Sequence, residues 1–79
     1  MKIVESIQKL IKKPIEKEGY SLLNVSFNGK ELVVTISKKE GWVSIEDCVR
    51  VSKIIDPIIE KADLIKDSYY LTVSSPGIK

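Results

Sequence analysis

The apolar residues of this chain change rhythm three times. Ile3, Val4, Ile7, Leu10, Ile11 and Ile15 share one side at 100° per residue, and Glu5, Lys9, Lys12, Lys13, Glu16 and Lys17 share the other. That spacing predicts an amphipathic helix over residues 2–18. Pro14 removes a backbone donor inside it, at a cost of about 3 kcal/mol. Because the stripe continues to Ile15, a kink is expected rather than a split. Gly19 can take the left-handed conformation that ends a helix.

Beyond Gly19 the period drops to two. Leu23, Val25 and Phe27 alternate with Asn24 and Ser26, and Leu32, Val34 and Ile36 alternate on the return, with Asn28-Gly29 between them as a hairpin signal. A turn centred on Asn28-Gly29 opposes Val25 to Leu32, whereas one centred on Gly29-Lys30 opposes Phe27 to Leu32 and Val25 to Val34. Both registers keep the same apolar sets on one face, since they differ by two residues.

After the loop Lys38-Lys39-Glu40-Gly41, the helical period returns. Ser44 is placed to cap a second helix, with Glu46 and Asp47 in its first turn, where the helix dipole favours carboxylates. Ile45, Cys48, Val49, Val51, Ile54, Ile55, Ile58, Ile59 and Ala62 form a wide apolar arc opposite Glu46, Arg50, Lys53 and Glu60. Pro57 lies on the polar side, where a bend is tolerated. Residues 63–68 read as a polar connection and 69–75 as a third strand.

The order helix-strand-strand-helix-strand predicts a two-layer α+β fold. It has a three-stranded mixed sheet with both helices on one face. The third strand fits beside either the first or the second. The other sheet face would carry Leu22, Val33, Thr35 and Tyr70, half of them apolar, and would be thinly covered.

Composition narrows the classes. A chain of 79 residues is one domain, and at this size only about 60% of the unfolded surface is buried. With 43% hydrophobic and 30% charged residues the chain is too apolar to be disordered. No apolar run approaches the roughly 20 residues that cross a bilayer, and Glu5 and Gln8 interrupt any signal-like core in MKIVESIQKL, so a cytoplasmic protein is expected. Cys48 is the only cysteine and there is no histidine. Cys-His nucleophiles, histidine acid-base chemistry and an ordinary zinc site are therefore excluded together. The net charge of +2 decides little by itself.

Three stretches carry a resemblance. EKEGYSLLNV holds Glu16, Gly19, Tyr20, Leu22 and Val25 in the pattern Glu-x-x-Gly-Tyr-x-Leu-x-x-Val. GWVSIEDCVRVSK holds Asp47 and Cys48, then Val51, Ser52 and Lys53. YYLTVSSPGI holds Tyr69, Leu71, Val73, Ser74, Ser75, Pro76 and Gly77, with Thr72 where the pattern has Glu. In order and spacing these resemble the N-terminal domain of the ribosome maturation factor RimP.

The resemblance implies a domain over 1–77, with 78–79 opening a linker to a C-terminal β-barrel domain. It implies a non-catalytic partner of the immature small ribosomal subunit, touching ribosomal RNA, a ribosomal protein or both. It implies no cofactor and no membrane. The fold is also similar to type II KH domains, whose Gly-x-x-Gly loop clamps phosphates. The glycines here are at 19, 29, 41 and 77, so that clamp is absent.

The remaining route to RNA is charge. Lys9, Lys13 and Lys17 recur every four residues with Lys12 beside them, and Lys38 and Lys39 follow the hairpin. Against this, Glu5, Glu16 and Glu18 dilute the face, and a plain solvated surface is the commoner reading of such a charge pattern. Trp42 could stack on a base, although packing over the core end is the commoner fate of a tryptophan. Cys48 reads as a small core residue. Ser74, Ser75, Pro76 and Gly77 read as an interdomain turn, not as a nucleophile, since nothing nearby could activate a serine. The competing class is a protein-interaction domain that docks through the half-apolar sheet face.

Overall fold

The structure is a computed structural model that describes residues 2–39, 41–65 and 68–76. Five elements follow the expected order: α1 (Lys2–Lys17), β1 (Tyr20–Asn28), β2 (Glu31–Lys38), α2 (Ile45–Ala62) and β3 (Tyr70–Ser74). The sheet order is β1-β2-β3, with β1 antiparallel and β3 parallel to β2. The third strand thus lies beside the second, reached through α2. The architecture is the expected α+β fold with a three-stranded mixed sheet.

One face of the sheet and the inner faces of both helices make the core. Ile7, Ile11 and Ile15 of α1 are fully buried, as are Leu32, Val34 and Ile36 of β2 and Val51 and Ile55 of α2. Each such side chain contributes about 1.5–3 kcal/mol through removal from water. The helix runs through Pro14 without splitting. Ile3 and Leu10 lie at the margin of the stripe and are well exposed.

The hairpin takes the second of the two registers, with Phe27 opposite Leu32 and Val25 opposite Val34. Gly29 has φ 59° at the first position of the two-residue loop, and Lys30 is not left-handed. This is the requirement of a II′ turn, in which only the first loop residue needs positive φ.

The strict alternation expected for β1 fails at one point. A bulge falls between Leu22 and Asn24, so Leu22 opposes Ile36 and Asn24 opposes Thr35. The extra residue shifts the phase, as bulges do. Leu22 and Tyr20 therefore join the core side with Val25, and Leu23 is left 49% exposed. Leu22 does not lie on the open sheet face, contrary to the uniform alternation. That face carries Val33 and Thr35, half-buried, and Tyr70, exposed.

The arc of α2 is also narrower than its apolar sequence suggests. Cys48, Val51, Ile55 and Ile59 are buried, whereas Ile45 is 68% and Val49 47% exposed. A helix on a three-stranded sheet covers one stripe, and this flank extends past what the sheet can cover. Cys48 is a core residue, and burial raises its thiol pKa.

The bulge makes a direct prediction for chemical denaturation. Leu22→Ala should cost about 1–2 kcal/mol, as a half-buried leucine, and Leu23→Ala should stay within about 0.5 kcal/mol. Equal costs would place both residues in an unbroken alternation.

Candidate functional site

Strand pairing gathers four chain segments at one end of the molecule. Tyr20, which opens β1, lies opposite Lys38, which closes β2. The C-terminal turn of α1 leads into the first, and the loop to α2 leaves the second. Asp47, in the first turn of α2, joins them. The Tyr20 hydroxyl donates to Asp47 Oδ1 at 2.5 Å, and Lys38 Nζ lies 3.2 Å from Asp47 Oδ2. Lys38 Nζ also sits 5.8 Å from the centre of the Tyr20 ring, a cation–π distance.

The same carboxylate closes the helix end. The Ser44 backbone N–H donates to Asp47 Oδ2 at 2.9 Å, and the Asp47 N–H donates to Ser44 Oγ at 3.1 Å. This reciprocal pair is a capping box with aspartate at N3. The Ser44 N–H above all, then the Tyr20 hydroxyl, and Lys38 with them hold the Asp47 carboxyl well below the usual carboxylate range. Burial, with the hydrogen bond to Asp47 and its charge, pushes the Tyr20 hydroxyl up to about 12.

The candidate lysines divide accordingly. Lys38 belongs to this network, in the one ion pair found among the described residues. Lys9, Lys12, Lys13 and Lys17 are exposed on α1, and Lys39 is exposed in the loop. Lys9 and Lys12 flank a groove of about 300 Å³ shared with Glu5, Gln8 and Leu22. From Lys9 to Lys17 is eight residues, about 12 Å along the helix at 1.5 Å per residue, and the run ends at the pole where Lys39 leaves the sheet.

Trp42 does not fold over the core end. It is 59% exposed, while Val43 beside it takes the buried position at 2%. Ser74 pairs with Thr35 at the end of β3, Ser75 is half-buried and Pro76 exposed; Gly77 lies outside the described residues. No three His, Cys, Asp or Glu side chains come together as a metal site among the described residues, and no described helix is long and apolar enough to cross a membrane.

A family model for the RimP N-terminal domain matches residues 10–79. The chain belongs to that family. RimP proteins form a non-catalytic family of ribosome maturation factors. The match takes in every candidate lysine except Lys9, together with Trp42 and the Ser74–Gly77 turn. It also gives the RimP motifs a structural meaning: the tyrosine of the first and the aspartate of the second are the two ends of one hydrogen bond. Neither motif by itself indicates that the Tyr20 and Asp47 side chains, 27 residues apart, meet.

The network predicts two opposite pH dependences. Asp47 has a lowered folded pKa, so its stabilisation is complete above the unfolded value of about 4 and is lost as pH falls below it. Tyr20 has a raised one, so its stabilisation holds below about pH 10 and is lost as pH rises toward 12. Thermal unfolding across pH should show the gap between wild type and Asp47→Asn closing in acid, and that between wild type and Tyr20→Phe closing in alkali. A gap constant with pH in either pair would mean that the hydrogen bond is not formed.

Proposed function

We propose that this domain is a docking module of a cytoplasmic small-subunit maturation factor, and that it contacts RNA of the immature subunit through the lysines of α1. The observation that carries this reading is the disposition of charge. Lys9, Lys12, Lys13 and Lys17 are exposed and form no ion pair with a described residue, and they lead to the pole bearing Lys39 and the exposed Trp42. Lys38 is already neutralised locally by Asp47 and serves to hold the pole together.

The chemistry is counterion release by a lysine row, which binds without regard to sequence. The Trp42 indole adds a stacking surface that any base can use, worth about 1–3 kcal/mol. No bond is made or broken in this scheme, and the Ser74-Ser75-Pro76 exit has a directional role toward a following domain. With Leu22 turned to the core, the open sheet face keeps only Val33, Thr35 and Tyr70 of the residues that favoured it as the main docking surface.

Binding of the isolated domain to small-subunit ribosomal RNA should fall with salt, with a log–log slope of about −3 for four phosphates neutralised. The triple variant Lys9/Lys13/Lys17→Glu should abolish binding, and Lys38→Gln should leave the slope unchanged while lowering the melting temperature. Undiminished binding by the triple variant would transfer the function to the open sheet face.

A further inference from the structure

The flank of α2 that the sheet fails to cover borders a groove along the free edge of β3. Two cavities of about 640 and 320 Å³ lie along it, and Ser52 lines both. The larger is lined by Asp56, Glu60 and Tyr69, the smaller by Ile45, Val49, Val73 and Lys53. The groove is therefore acidic toward the start of β3 and apolar toward its end, in a chain of net charge +2.

The strand beside this groove is open. β3 is the last strand of the sheet, and the Tyr70 N–H points inward, donating to the Lys30 carbonyl at 2.7 Å. Backbone groups alternate sides along a strand, so Leu71 and Val73 present their N–H and C=O groups outward. Exposed edges are commonly blunted by lysine, proline or a bulge. Tyr70–Ser74 contains no charged residue and no proline. The Tyr69 hydroxyl adds a polar group that is shielded from water beside the Asp56 carboxylate, with no hydrogen bond of good geometry to a described residue. Burial, with the charges of Asp56 and Glu60 and the closeness of Asp56 to the hydroxyl, pushes its ionisation up.

We propose that this groove takes an extended peptide segment of another protein, which adds to β3 as a fourth strand with an apolar side chain against Ile45 and Val49 and an arginine between Asp56 and Glu60. Main-chain bonds to Leu71 and Val73 supply the pairing, and the two ends of the groove set the pattern of side chains. A guanidinium answers both carboxylates and offers the Tyr69 hydroxyl oxygen a donor. Phosphate is repelled by the same carboxylates, so this surface selects peptide and not nucleic acid. It is separate from α1 and does not rest on the lysines.

The test is a titration of the ¹⁵N-labelled chain with an acetylated nonapeptide of alternating valine and threonine that carries two arginines at one end, in either orientation. Binding should shift the Leu71 and Val73 amides and slow their hydrogen exchange. Asp56→Asn with Glu60→Gln should weaken it by about tenfold through the lost charge pair, and Val49→Glu, at an exposed position, should weaken it similarly. Lys9/Lys13/Lys17→Glu should leave peptide binding unchanged, which separates this site from RNA binding. Equal binding of a peptide with glutamates for arginines, absence of binding by either peptide, or shifts confined to residues outside the groove would overturn the proposal. So would self-association of the chain through β3 that the peptide fails to displace.

Discussion

The carboxylate of Asp47 is the point at which local and tertiary structure become the same interaction. One oxygen takes the Tyr20 hydroxyl, and the other takes the Ser44 N–H and the Lys38 ammonium. A capping box by itself starts a helix; it does not say where that helix lies. Tied also to the first residue of β1 and the last of β2, the start of α2 is fixed against the end of the hairpin. Lys38 and Ser44, on either side of the connection between β2 and α2, are thereby both held by Asp47. At this pole Trp42 stands exposed while Val43 fills the core beneath it.

This arrangement separates structural charge from available charge. Lys38 and Lys39 are adjacent in sequence and of one chemical type, yet one is bound to Asp47 and over the Tyr20 ring and the other faces water. The row along α1 has no such tie among the described residues. Its spacing follows from helix geometry, since residues four apart stack on one face while Ile7, Ile11 and Ile15 fill the opposite one. The same amphipathic pattern that drives α1 onto the sheet thus leaves its lysines pointing outward together.

Element order, helix limits and the Ser44 cap were legible in the chain, because periodicity and capping chemistry are local. What was not legible depended on neighbours. Leu22 and Leu23 are chemically identical, and only the bulge decides which one is buried. A signal for it did exist: Tyr20, Leu22 and Val25 are spaced two and then three, which suits a strand whose inward face skips one residue. Ile45 and Val49 read as core because the arc of α2 is continuous in sequence; their exposure follows from a sheet that ends at β3. The place of β3 beside β2, and the Tyr20–Asp47 bond across 27 residues, are long-range facts that no local pattern encodes. Among the candidate site residues, the shared outward face of the α1 lysines was readable from helical spacing, and the pairing of Lys38 with Asp47 was not.

The most direct test of the account is hydrogen–deuterium exchange of this domain, free and bound to immature small subunits. The lysine-bearing half of α1 and the loop from Lys39 to Ser44 should become protected together on binding, with the network around Asp47 already slow in the free state. Unchanged exchange in α1 and that loop, with the subunit demonstrably bound, would contradict it.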